Sequence, residues 1–335
     1  MIDKFLFTCN AVLPIILIIV LGYVIKRIKL LPENFYKAAN KLCFRVCLPV
    51  LLFYNIYNID SIGHIANYWK VIVFAIIMII TIFIIGVIIA IFAVKDDKQK
   101  GVITSCIFRS NYAIIGIPLA ASLATENNSN IEGIASVISA VVVPIFNILA
   151  IISLSIFIKD DKKISIKAVA LKIIKNPLII GVLSGVVALA IRVLLQTDNG
   201  LLFSMQRDLP FLYKTVENLA RIASPLALIA LGGDFTFKAI SKLKTKIIMG
   251  TTIRVIGVPI FALVIAYLVG FRTEEFPALI ALFATPVAVS SVPMAAEMGN
   301  DDELAGQLVV WTSILSAITL FLIIFVCTQI GIFSI

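Results

Sequence analysis

The chain is 335 residues long, 61% hydrophobic and only 14% charged, with a mean hydropathy of +1.10. A soluble domain averages about 45–50% apolar and about 25% charged residues, so this composition excludes a soluble globular protein and puts most of the chain in a bilayer. The net charge of +9 would suggest nucleic acid as a partner of a soluble chain, but here the basic residues stand at the ends of apolar runs, where they set topology.

A bilayer crossing takes about 20 mostly apolar residues. By that measure ten spans are expected, at residues 5–25, 36–57, 68–93, 101–122, 131–158, 168–195, 210–232, 245–270, 275–298 and 304–331. The run from Phe5 to Ile25 lacks the basic start and the small-residue cleavage site of a signal peptide, so it reads as helix 1. The second span carries Arg45 and the seventh carries Glu217, Asn218 and Arg221. The gaps between spans are too short to bury a core of their own.

The loops after spans 1, 3, 5 and 7 are basic, with Lys26, Arg27, Lys95, Lys98, Lys159, Lys163, Lys242 and Lys244 among their residues. Those after spans 2, 4, 6 and 8 hold only Arg207 and Arg272. The positive-inside rule therefore places the first set in the cytoplasm and both termini outside it. Asp301-Asp302-Glu303, after span 9, is an acidic exception, and acidic residues weigh little in the rule.

Five cysteines sit in or beside apolar spans and form no ligand pattern, so neither a disulfide framework nor a metal site is expected. The single histidine, His64, falls in a polar loop, which argues against histidine chemistry. No G-x-x-x-x-G-K-[ST] motif is present to power a pump. No nucleophile and base are visible to make the chain an enzyme, and no cofactor is expected.

Two spans are interrupted near their middles, at Arg109 to Pro118 and at Thr285 to Ala296. Proline inside a helix removes a backbone bond and clashes with the preceding turn. In a membrane such freed backbone is tolerated only inside protein or beside a water-filled cavity. Paired interruptions in two halves are a pointer to a transport site. Arg45, Pro49 and Leu52 recur 176 residues later as Arg221, Pro225 and Leu228, and Ile117-Pro118 recurs 175 later as Val292-Pro293. An inverted five-plus-five repeat follows, residues 1–160 and 161–335.

Each second half-helix is then expected to start at its proline, Pro118 or Pro293, near the midplane, with Ser290 and Ser291 capping the latter. Two helix starts meeting there would offer free N–H groups and partial positive charge to an anion. The expected binding residues are Asn111, Gly116, Ile117, Pro118, Ser290, Ser291, Val292 and Pro293.

The motifs Asn111-Tyr112-Ala113-Ile114-Ile115-Gly116-Ile117-Pro118-Leu119, Val143-Pro144-Ile145-Phe146-Asn147, Ser224 through Gly232, and Pro286 through Ala296 resemble those of the auxin efflux carrier family, over essentially the whole chain. The resemblance implies an all-α membrane protein of ten helices whose broken helices 4 and 9 cross at prolines, a fold shared with bile-acid symporters. It implies a scaffold of helices 1, 2, 6 and 7 and a moving transport domain of helices 3–5 and 8–10. It also implies a small organic anion as substrate (auxin in plants, malate or malonate in some bacterial members). A bacterial plasma-membrane location is expected. The long central cytoplasmic loop of many plant carriers is absent between Lys159 and Lys167.

Arg109, Arg45, Arg221 and Glu297 are the candidates for electrostatic or coupling roles, since an ionisable group within a span is a functional hypothesis by default. Arg45 and Arg221 could instead reach the headgroups. Arg254 could pair with Asp234 or Glu297, and Asn147 could bond the unwound segments. Gly181-Val182-Leu183-Ser184-Gly185 is a GxxxG motif that would allow a homodimer through scaffold helices. Sodium needs convergent oxygen ligands, and the helix 4 break supplies no carboxylate, so transport is expected to be sodium-independent. A sodium-coupled symporter and an anion channel are the rival readings.

Overall fold

A computed structural model of the chain describes residues 2–58, 68–123, 131–158, 174–197, 200–201, 203–235 and 237–333. His64 and the basic residues Lys159, Lys162, Lys163 and Lys167 lie outside the described residues. The helices are α1 (Ile2–Arg27), α2 (Asn34–Tyr57), α3 (Trp69–Ala93), α4 (Asp97–Phe108), α5 (Tyr112–Leu123), α6 (Ile131–Ile156) and α7 (Pro177–Leu194). After α7 come a two-residue antiparallel pair, β1 (Gln196–Thr197) and β2 (Gly200–Leu201), and a short α8 (Met205–Asp208). Then follow α9 (Pro210–Asp234), α10 (Phe237–Thr252, continued through Ile253–Gly257 into Val258–Val269), α11 (Glu275–Ala284), α12 (Ser291–Glu297) and α13 (Asp302–Gln329).

Among the described residues, six helices are long and apolar enough to cross a bilayer: α2, α3, α6, α7, α10 and α13. In α3 both faces are apolar. Val71, Ala75, Met78, Ile79 and Ile82 are buried, while Ile77, Ile80, Ile84, Ile88 and Ile91 are exposed on the opposite face. An all-round hydrophobic helix with one face left open is what a lipid-facing span requires. By contrast α4 from Gly101 to Phe108 and α11 from Phe276 to Ala284 are buried on every side, so these two short helices form the centre of the molecule.

The prolines act differently from the sequence expectation. Pro49, Pro118 and Pro259 each stand two residues after a π turn, at Cys43–Cys47, Tyr112–Gly116 and Ile253–Gly257. A proline ring collides with the carbonyl four residues back, and a widened turn moves that carbonyl aside. Pro118 therefore widens its helix instead of breaking it. Pro293 is the third residue of α12, where its missing N–H is one that the helix could not have used. The real breaks come earlier, at 109–111 between α4 and α5 and at 285–290 between α11 and α12. Pro286 drives the second one, because the residue before a proline is pushed from helical to extended backbone, and Thr285 has φ −72° and ψ 155°.

α1 packs along α9, and α2 along α7. Both seams depend on glycine. A Cβ on Gly232 would stand 1.9 Å from the Ile19 carbonyl oxygen, and one on Gly22 would stand 2.3 Å from that of Ile229. Gly181 and Gly185, the GxxxG pair, face Pro49 and Phe53 of α2. The motif is thus consumed inside one chain and supplies no dimer surface. Gly232→Ala is expected to force α1 from α9 and cost about 1–3 kcal/mol. The check is the melting temperature and monodisperse yield in detergent; an unaltered pair of values would contradict this packing.

Candidate functional site

The two breaks cross at the centre of the bundle. Ser110 and Val287 form an antiparallel bridge, and the Asn111 N–H donates to the Pro286 carbonyl at 2.8 Å. The Ser110 hydroxyl lies 2.6 Å from that of Thr285. Thr285 spends its own proton on the Ala281 carbonyl, so Ser110 is the donor. On the far side Asn111 starts α5, its carbonyl accepting from both Ile115 and Gly116. Tyr112 ties that start to α6 through a bond from its hydroxyl to the Ala135 carbonyl.

Two buried arginines complete the crossing. Arg254, 0% exposed, donates from Nε and Nη2 to the Thr285 carbonyl and from Nη1 to the Ile107 carbonyl. Those carbonyls lie at the C-terminal ends of α11 and α4, where a helix leaves acceptors unpaired and partial negative charge collects. Arg109, 2% exposed, donates to Asn147 Oδ1 at 2.7 Å, Ser290 Oγ at 2.8 Å, Ser291 Oγ at 3.3 Å and Met294 Sδ at 2.8 Å. It thereby joins the α4 break to α6 and to the α12 start. Asn147 is oriented for this by its Nδ2, which donates to the Val143 carbonyl.

A cleft opens beside the crossing, with about 60 Å³ of interior volume. One water needs about 10–15 Å³ on that measure, so the room suits a small polar group such as a carboxylate. Its polar lining is Arg109, Ser110, Asn111, Asn147 and Ser290, with Asn55 of α2 and Ser224 of α9 opposite. Leu48, Leu51, Leu52 and Phe146 supply much of the apolar wall. Asn111 is 3% exposed and its Nδ2 has no hydrogen-bond partner in the protein. A buried amide donor left open costs about 1–3 kcal/mol, which a ligand acceptor would recover.

A family model described as membrane transport protein, that of the auxin efflux carrier or PIN-like proteins, matches residues 7–324. The chain belongs to this family. No curated protein matches it.

In this transporter-family chain the structure gathers some of the expected site residues and disperses others. Asn111 and Ser290 line the cleft, and Ser291 stands behind it as an acceptor for Arg109. Gly116, Ile117, Pro118, Val292 and Pro293 do not line it. Pro118 is exposed. Gly116 is a packing position, where a Cβ would stand 2.3 Å from the Tyr112 ring and 2.9 Å from the Ala281 carbonyl oxygen. The cause is the earlier position of both breaks, which carries these residues up their helices and out of reach.

Arg45 and Glu297 pair with each other at 3.2 Å, tying α2 to the end of α12 away from the cleft. Arg221 pairs with Glu217 on its own helix. Arg254 pairs with neither Asp234 nor Glu297; three of its N–H groups donate to the two carbonyls instead. Asn55, Ser110 and Ser224 were not among the expected ligands. The repeat offset could have found Ser110, because it lies 175 residues before Thr285.

Proposed function

We propose that the carrier is a secondary transporter of a small organic anion, and that the anion sits in the cleft between Asn111, Ser290 and Arg109. The observation that carries this reading is the buried, unpartnered Asn111 amide beside a guanidinium whose acceptors are all neutral. An anion supplies what both groups lack. The free N–H groups at the start of α5 add to the attraction, but α12 has only seven residues and contributes little dipole.

The proposed architecture is ten passes in an inverted five-plus-five repeat. Two features support it. Ser110 and Thr285, like Asn111 and Pro286, are 175 residues apart and touch, as equivalents near a two-fold axis do. The first helix packs on α9 and α2 packs on α7, which is one contact repeated under exchange of the halves. Alternating access by an elevator motion follows if α1, α2, α7 and α9 act as the scaffold, since α2 and α9 form one side of the cleft and the crossing forms the other. Among the described residues no carboxylate lines the cleft, which favours sodium-independent transport.

The test is a thermal-shift screen of the purified protein against mono- and dicarboxylates, followed by uptake into liposomes. A ligand that binds the native state at 100 times its Kd stabilises it by about 2.7 kcal/mol. Saturable uptake that is unchanged when sodium is replaced by potassium is expected. Sodium-dependent affinity would reject the sodium-independent reading, and ohmic single-channel current would reject a carrier.

A further inference from the structure

The charges around the crossing do not balance, and the imbalance lies at one residue. A guanidinium keeps its proton in proteins. Arg254 carries its charge against the carbonyl ends of two helices, each worth roughly half a negative charge, so it is matched where it stands. Arg109 has no such match. Its four Nη protons go to an amide, two hydroxyls and a thioether, all neutral, and among the described residues no carboxylate lies within 4 Å of it. Its Nε–H has no acceptor among the described residues. A buried charge without a counter-charge is expensive in a low-dielectric interior, and taking it across an occluded state adds to that expense.

Resting on the anion-carrier reading above, we propose that Arg109 is the built-in counter-charge of the site and makes the carrier an exchanger. With one monovalent anion in the cleft the site is neutral and recrosses readily. Empty, it holds an unbalanced positive charge and recrosses slowly. The same balance selects the cargo. There is one cationic centre, the other polar groups of the lining (Asn55, Ser110, Asn111, Asn147, Ser224 and Ser290) are neutral, and much of the rest of the wall is leucine and phenylalanine. A single carboxylate with an apolar body is matched, whereas a second carboxylate would leave the loaded site negative with only neutral groups to meet it.

The experiment uses the full chain in liposomes at pH 8, with labelled indole-3-acetate as the monovalent probe and labelled malonate as the divalent one. Protein-free vesicles supply the background. Uptake of indole-3-acetate is expected to be at least about tenfold faster into vesicles preloaded with the unlabelled compound than into vesicles holding potassium sulfate. Malonate is expected to enter more slowly under either condition. In Arg109→Gln the preloading advantage is expected to fall to about one while affinity weakens, and Arg109→Lys, which keeps the charge, is expected to retain the advantage. Equal wild-type rates with and without preloading overturn the exchange proposal while leaving the anion carrier standing, and malonate faster than indole-3-acetate overturns the charge match. Neither probe entering vesicles or shifting the melting temperature overturns the anion reading and this proposal with it. The wild-type comparison decides even if Arg109→Gln does not fold.

Discussion

Arg254→Met is expected to lower stability by about 2–6 kcal/mol, because it strands two buried carbonyl oxygens, Thr285 and Ile107, at about 1–3 kcal/mol each. Methionine fills much of the arginine volume, so the loss reports on the bonds and the charge more than on a cavity. The consequence is not confined to one contact. Arg254 is what draws the ends of α4 and α11 together, and the crossing, the cleft and the start of α5 are all built on that junction. Arg254→Lys should recover part of the loss, since an ammonium can donate to one carbonyl but cannot span both with a planar fork. The check is thermal unfolding in detergent together with the fraction of monodisperse protein. An unchanged melting temperature for Arg254→Met would show that the two helix ends meet without it.

Asn111→Ala should have the opposite signature, with function lost and stability kept. The Nδ2 group has no protein partner, so its removal takes away an unsatisfied donor and no bond of the fold. The backbone bond from Asn111 to Pro286, which does hold the crossing, survives in alanine. If the amide donates to a carboxylate, a hydrogen bond to a charged group worth about 1.5–3 kcal/mol disappears, which is roughly a 10- to 150-fold loss of affinity. The measurements are ligand-induced thermal shift and uptake, each beside the unliganded melting temperature. Wild-type affinity in the variant would rule Asn111 out as a ligand. Loss of both affinity and stability would mean that the side chain supports the fold.

The helices were legible in the sequence because hydrocarbon imposes a simple rule. Runs such as Trp69–Ala93 are apolar on all faces, and no aqueous alternative competes for them. That Asn111 lies at an interruption was legible for a related reason: a polar amide stands out in an apolar run. The stretches that hold the breaks were legible, but where each helix restarts was not. Helix chemistry points to proline as the breaker, yet Pro118 and Pro293 sit within helical structure and the α4 break at Arg109-Ser110-Asn111 contains no proline. What holds that segment extended is tertiary: Val287, Pro286 and Thr285, more than 170 residues away in the chain. Local rules of helix chemistry cannot see such partners. Arg254 was misassigned for the same reason. Its acceptors are backbone carbonyls, which every residue has, so a search among acidic side chains could not find them.

The offset of 175 residues that pairs Asn111 with Pro286 has a consequence for how the crossing came to be directional. Two identical extended strands meeting about a two-fold axis would exchange a pair of reciprocal bonds, and each would use up the other's carbonyl. Proline at 286 can accept but cannot donate, so only half of that exchange exists. The Asn111 carbonyl, released from it, turns along its own chain and accepts from Ile115 and Gly116. One missing proton on one strand thus becomes the first turn of the helix on the other. In the proposed inverted repeat the crossing is therefore lopsided at its axis, and the asparagine falls on the side that gained the helix.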